Sequence, residues 1–579
     1  MVLTLPKRSG TYADALLAFG LLRLVDRWLY DLPRRRDVVL SDAGPEYAIQ
    51  VLDRRGRALD LPDSQQASYF SSPAYYLLNR RYPEPPEPNF PAWNIDALWE
   101  RVRRHAELRR ALYKQKEKDP NLEAQLKDLE PPPEWQVVAF IGTRQMQALT
   151  TYNGIVGEWA KTRPHFGDHL RAFLALAQGE NEPVWKAWKK RAKQDGIRAE
   201  VTASQLLNPH QGKGQNQPKI ASIQPGNIKS PWPLEYLKAA GLWEAAFPRK
   251  TVDNDWKVYI LAPRQLRLRD LREVYRKFAQ VLWQAHRSDT TALKTDITSV
   301  LLFYHTWLDY AREHKEEFQV RQARPHTVVH GFYVTQYKLM SAQAYTMINQ
   351  SFLRLPTWTD GVTTWDDVKA WQALILEHLD VIRAVDEEHS DGYDMLKDYR
   401  DFVAGGQWEG FFAFTMTYAH YAMQRMAQNQ YAPLFTTPNL RRLLMTEKRF
   451  APILESEGFR NFAYAIRHST VIPQSRKARK LDALYDIRYG LGEELKRKAT
   501  VKEEFIAALM NFAQSYNREN AQILERTGQQ MRRDLRTSDI EDVVRLVDEY
   551  GSEVVANLLV AYGYAREPRE GGNGAEDAA

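Results

Sequence analysis

The residues best suited to chemistry are few and scattered. Glu387, Glu388, His389 and Asp391 crowd into EEHSD, and His326 and His330 recur at even spacing in HTVVHGFYV. Imidazole and carboxylate are common metal ligands, so both clusters invite that reading. Neither carries supporting ligands at matching spacing. EEHSD therefore reads as a charged turn, and the two histidines, on one side of an alternating strand pattern, as core or interface residues. No GxxxxGK[ST] phosphate loop, no GxGxxG after a strand and no HExxH occurs. No histidine is followed directly by aspartate, and no run of paired acids suits a two-metal centre. There is no cysteine, which excludes disulfides, thiol catalysis, zinc fingers and iron–sulfur clusters together and fits a reducing cytoplasm. The expectation is a protein with no catalytic residues, no metal and no cofactor. Lys, His and Tyr can still support metal-free RNA cleavage, which stays open as an enzymatic alternative.

A different chemistry is concentrated in Gln205–Trp232, QLLNPHQGKGQNQPKIASIQPGNIKSPW. Gly212, Gly214 and Gly226 let the backbone approach a partner closely, while Pro209, Pro218, Pro225 and Pro231 forbid a continuous helix. Gln211, Gln215, Asn216, Gln217, Gln224 and Asn227 carry amides that both donate and accept, and Lys213, Lys219 and Lys229 add charge with no acid between them. Lysine takes phosphate and amides read base edges, so the composition suits a nucleic-acid groove. It also suits a solvated linker. The return of apolar residues in WPLEYLKAAGLWEAAF seats the stretch on a packed base and favours the groove. Lys213, Gln215, Asn216, Gln217, Lys219, Asn227 and Lys229 are the expected readers.

Positive charge gathers in two further places. The total is only +7, from 80 basic and 73 acidic residues, so local patches matter more than the sum. Arg34, Arg35 and Arg36 stand at the entrance of an expected hairpin, DVVLS and EYAIQVLD, either as a phosphate contact or as a solvated turn. Arg441, Arg442, Arg460, Arg467, Arg476, Lys477, Arg479 and Lys480 lie among few acids in a helical region, where such spacing lines up a basic stripe. Arg460 and Arg467 fall two helical turns apart, on one expected face, with His468, Ser469 and Thr470 alongside.

These residues need elements to hold them. A chain of 579 residues splits into several domains, and 44% apolar content supplies folded cores. Thr11 is an expected cap for a helix reaching about Tyr30. WQVVAFIG and WKVYILAP read as buried strands, VWKAWKKRAKQ as a basic helix, and His326–Met340 as a strand that turns helical. Helices dominate from Trp365 onward. The fold expected is mainly α with an α+β N-terminal part: an irregular N-terminal domain over 1–400, a C-terminal antiparallel helical bundle over 401–566, and a disordered tail over 567–579. No uncharged apolar run approaches the length of a bilayer span, so a soluble, cytoplasmic protein is expected.

Three stretches carry a resemblance. TYADALLAFGLLRLVDRW, NPHQGKGQNQPK…QPGNIKSPWPLEYLKAAGLWEAAF and FRNFAYAIRHSTVIPQ resemble, in that order, the N-terminal helix, central segment and C-terminal helical part of the large subunit of a type I CRISPR surveillance complex, Cascade. The resemblance implies a subunit without a catalytic centre. Such a subunit holds the 5′ end of the guide RNA complex, reads a short motif beside the target in double-stranded DNA, starts strand separation, stabilises the R-loop and recruits a helicase–nuclease. Its implied partners are guide RNA, target DNA, the other subunits and that helicase–nuclease. The C-terminal bundle resembles the small subunit, which some systems also make from an internal start; Met416, Met423, Met426 and Met445 are candidates. The remaining alternatives are the metal-free guide-RNA-processing endoribonuclease and a structural scaffold.

Overall fold

The computed structural model describes residues 2–30, 36–53, 55–113, 119–143, 148–179, 182–209, 228–284, 291–341, 344–479 and 484–568. The chain forms two compact units, residues 1–290 with 325–355 and residues 291–324 with 356–579. The division expected at residue 400 is thus replaced by an interleaved one. The reason lies in packing: Ala292–Glu313, Trp365–Ala384 and Ser390–Gly405 lie against each other, and Arg400 donates from Nε to Asp296 Oδ2 at 2.8 Å. The molecule is mainly helical with an α+β N-terminal part, as its sequence implies.

The first unit holds all the named strands, numbered here in chain order: β1 (Val2–Pro6), β2 (Arg36–Asp42), β3 (Glu46–Asp53), β4 (Tyr76–Leu78), β5 (Ala92–Asn94), β6 (Glu200–Thr202), β7 (Lys229–Pro231), β8 (Ala246–Lys250), β9 (Trp256–Pro263), β10 (Gln265–Arg267), β11 (Val329–Ser341) and β12 (Ala344–Arg354). Two antiparallel four-stranded sheets run β1-β3-β2-β10 and β12-β11-β9-β8. The β2–β3 pair is the expected hairpin, with Val38 opposite Val51 and Leu40 opposite Ile49. β9 is buried along its whole length, as a continuous apolar run requires.

Two helices form the spine of this unit. Tyr12–Trp28 is capped by Thr11, whose hydroxyl accepts from the Ala13 amide, and it ends at Trp28, near the expected Tyr30. It lies along Trp232–Ala245, which is almost entirely buried. The contact is backbone on backbone: a Cβ at Gly20 would stand 1.8 Å from the Leu237 carbonyl oxygen, and one at Gly241 would stand 2.0 Å from that of Leu16. Only glycine fits at either point.

Two sequence expectations fail here. WQVVAFIG is a helix, Trp135–Ile141, not a strand. It is buried on nearly every side, so neither period shows, and a short apolar run of this kind has no preferred reading. His326–Met340 does not turn helical: β11 continues to Ser341 because β12 folds back as its partner, placing Lys338 opposite Thr346.

The second unit is helical. Ser390–Gly405 and Trp408–Ala427 join through Gly406 in the left-handed conformation (φ 69°) and pack together, and Glu457–Ser469 packs on Thr537–Tyr550 and Ser552–Gly563. Glu387 resolves the EEHSD cluster. Its carboxylate accepts from the amides of Leu293 (2.9 Å) and Lys294 (3.1 Å) and from the Thr291 hydroxyl, so it caps Ala292–Glu313. His326 and His330 do not share a strand: His326 is buried in a 3-10 turn before β11, and His330 on β11 faces Asp42 at 3.4 Å. Among the described residues no group of three or more His, Asp or Glu could hold a metal ion, and no helix is long and apolar enough to cross a membrane.

Candidate nucleic-acid interface

The structure describes both ends of the amide-rich stretch. Six of its seven expected readers, Lys213, Gln215, Asn216, Gln217, Lys219 and Asn227, lie outside the described residues. On the incoming side the hydroxyls of Tyr12 and Tyr337, 2.9 Å apart, reach the carbonyls of Leu206 (3.0 Å) and Gln205 (3.2 Å). Asn208 then fixes the last turn. Its Nδ2 donates to the buried Glu235 carboxylate (2.8 Å), Lys238 Nζ donates to Asn208 Oδ1 (2.6 Å), and the same ammonium reaches Glu235 at 2.8 Å. All three side chains are satisfied by one another, which is what lets a carboxylate and an ammonium sit together inside the protein. The outgoing side is β7, which pairs with β6 so that Lys229 stands opposite Thr202, and the Ala203 amide donates to the Ile228 carbonyl (3.0 Å). Lys229, exposed, sets its Nζ 3.2 Å from the Thr202 hydroxyl. Both described ends of the stretch are thus tied into folded structure.

The expected basic residues separate into two groups. Arg34, Arg35 and Lys480 lie outside the described residues. Arg36 opens β2, half-buried opposite Asp53. In the second unit Arg460, Lys477 and Arg479 are exposed and, among the described residues, have no carboxylate within ion-pair distance; Arg476 is exposed beside them. Arg441 and Arg442 are partly engaged. Arg441 donates to the Leu454 carbonyl (3.2 Å) and stands 3.8 Å from Glu455, and Arg442 stands 3.8 Å from Asp367.

Arg467 overturns the expectation of one face shared with Arg460. It is buried at 3% exposure, donates to the Tyr562 carbonyl at 2.8 Å and is ion-paired with Glu567. Ser469 and Thr470 are buried as well, with Thr470 donating to Ile466. Helical spacing gives the side of the helix but not what packs over each turn, and Ser552–Gly563 packs on this helix and supplies the Tyr562 carbonyl to Arg467. Glu567 pairs with Arg467, so the tail expected over 567–579 does not begin at Glu567; residues 569–579 lie outside the described residues. The tryptophans of the basic helix Glu182–Gln194 pack rather than present faces: Trp188 is buried, and Lys189 caps Trp185 at 4.6 Å.

A further cationic site is one the sequence reading passed over. The long helix Lys502–Thr527 ends at Gly528, whose φ of 68° turns the chain into QQMRRDLR. Asn517 staples that turn back to its own helix, donating to the Leu535 carbonyl (2.8 Å) and accepting its amide (2.9 Å), and Asn520 reaches Asp534 at 2.6 Å. Tyr464, Arg532, Arg533 and Arg536 line the resulting cleft of about 690 Å³.

Arg532 is the post of this cleft. It is buried, donates to Asn520 (2.6 Å) and the His468 carbonyl (2.8 Å), pairs with Glu519, and lies over the rings of Tyr485 and Tyr516. Arg533 is exposed, its guanidinium 4.1 Å from the Tyr464 ring centre, and that ring stacks on His468 at 3.9 Å. Arg533 and Arg536 form no ion pair among the described residues. The local potential registers on His468: burial, then Arg467, Arg532 and Arg533, push its pKa down to about 4. A stacked aromatic column edged by unneutralised guanidinium groups can hold a base on its face and a phosphate at its rim. The signal was present in MRRDLR, separated by two residues from a helix-ending glycine. No protein-family model matches this chain, and a search of curated proteins finds no significant match.

Proposed function

We propose that the chain is the non-catalytic large subunit of an RNA-guided DNA surveillance complex of the type I CRISPR kind, working in the cytoplasm. Guide RNA, target double-stranded DNA, the other subunits and a helicase–nuclease are its partners. The amide-rich stretch reads the motif beside the target in the duplex and begins its opening. The arginine–tyrosine cleft and the exposed Arg460, Lys477 and Arg479 hold separated strand within the R-loop. The observation that carries this reading is the cleft itself. Its arginines outnumber its acids and it is backed by stacked rings, which suits a polyanion with flat bases.

Two measurements on the full-length chain test it. Binding to single-stranded DNA should weaken steeply with salt, and the double variant Arg533→Ala/Arg536→Ala should bind about tenfold less tightly, with a salt slope shallower by about one to two. Asn227→Ala should erase discrimination between duplexes with different target-adjacent motifs while the protein stays folded. Unchanged strand affinity in the double variant together with intact motif discrimination would sink the reading. Purification from the native cell should bring down a short RNA of uniform length with several proteins.

A further inference from the structure

The first unit contains a second cleft, about 720 Å³, unrelated to the amide-rich stretch. Trp99, Trp135, Trp256, Trp283 and Tyr345 line it, with Lys250 among its lining residues. So many indoles around one opening is unusual, and each is fixed by its neighbours. Trp99 stands edge-on to Trp135, ring centres 4.7 Å apart at 86°, so the pair offers both a face and an edge. Trp283 is backed by the buried ring of His105 at 5.0 Å. Trp256 is held against Phe140 at 5.4 Å, on the helix Trp135–Ile141. Trp99 is nonetheless 48% exposed, a large apolar ring left open to water.

Polar features narrow what would fill this space. Trp256 is 95% buried, since 5% of its surface is exposed, and its indole N–H has no partner among the described residues. A buried donor left unsatisfied costs about 1–3 kcal/mol, but this N–H is closed off from the cleft as well as from water, so it does not select the occupant. The Tyr345 hydroxyl donates its proton to the Asn254 carbonyl (2.7 Å). Lys250 ends β8 exposed, next to the buried Arg249, whose guanidinium donates to the Leu282 carbonyl. A wholly apolar occupant would leave the ammonium unused. A flat aromatic ring with a negative group on its periphery uses both the tryptophan rings and the ammonium. The volume lies in the range of small-ligand sites.

We propose that this cleft is a nucleotide-binding site. The base lies among the tryptophans, and the phosphate meets Lys250. The same chemistry is offered by a free nucleotide and by a base turned out of a strand, and one experiment separates them. Calorimetric titration of the full-length chain with AMP, with adenosine, and with a short single-stranded DNA compared with its abasic counterpart reads the site. AMP should bind saturably. Trp99→Ala, at a half-exposed position, should weaken it about tenfold, the effect of losing one stacked base. Lys250→Ala should weaken AMP several-fold and leave adenosine unchanged, by the loss of one phosphate contact. If the occupant is a strand-borne base, the same variants will instead reduce the preference for the intact strand over the abasic one. Absence of saturable binding by both ligands, or affinities unchanged in both variants, overturns the proposal. The Arg533→Ala/Arg536→Ala pair lies in the other unit and should leave AMP binding untouched, which keeps this test separate from the strand-binding one.

Discussion

Arginine serves opposite purposes in the two units. In the first, Glu244 lies buried between Arg23 (2.8 Å) and Arg272 (2.8 Å), and Arg272 also reaches Asp26 (2.7 Å). Burial alone would raise the Glu244 pKa, but Arg272 and Arg23 overcome it and hold the carboxyl below its ordinary range. Charge is balanced, donors are paired, and the network fastens the helix Trp232–Ala245 to both Tyr12–Trp28 and Leu268–Gln284. In the second unit Arg532 is likewise spent on structure, but Arg533 and Arg536 beside it form no ion pair among the described residues. The difference teaches that an arginine's partners, rather than its presence, separate a fastener from a binding group.

Breaking the balanced network should have the largest effect. Glu244→Gln strips the neutralising charge from two arginines, and chemical denaturation should show a loss of about 3–5 kcal/mol. Acid sharpens the contrast on the other side. His378 is buried beside the Tyr399 hydroxyl (2.6 Å), and burial pushes its pKa down to about 3. A histidine depressed in the fold takes up its proton more readily when unfolded. Its penalty is absent above the unfolded value near 6.5, grows as pH falls below it, and levels off at about 3. At pH 5 this amounts to about 2 kcal/mol, and His378→Gln should flatten the stability-versus-pH curve over that window. Asn208→Ala leaves Glu235 and Lys238 short of a partner at the root of the amide-rich stretch. A loss of about 1–3 kcal/mol in thermal or urea unfolding is expected. The smallest effect on stability should come from Arg533→Ala, within about 0.5 kcal/mol of the parent, although strand affinity falls. A large destabilisation there would erase the distinction between the two networks.

Much of the fold was legible in the residues. Thr11 announced its helix, Val38–Leu40 and Tyr47–Val51 their hairpin, and the run Trp256–Pro263 its buried strand, because each pattern matches one local geometry. Trp135–Ile141 was misread because a segment buried all round carries no period. At the candidate site, spacing put Arg460 and Arg467 on one face expected to be basic, but spacing cannot report what packs over the next turn, and Ser552–Gly563 does. Arg532 and Arg533 went unnoticed because their meaning depends on Tyr464, Tyr485 and Glu519, each distant in sequence.

The interleaving of the two units sets the order in which the chain can be completed during synthesis. Ala292–Glu313, which belongs to the second unit, leaves the ribosome before β11 and β12, which finish the first. Until that hairpin emerges, β9 has β8 on one flank and an open edge on the other, so the nascent protein carries a sticky strand for the time needed to translate the intervening helix. A shortened product begun at Met416, Met423, Met426 or Met445 would lack Ala292–Glu313 and Trp365–Ala384 and with them a wall of the second unit. Any such product must shield that uncovered flank with another chain.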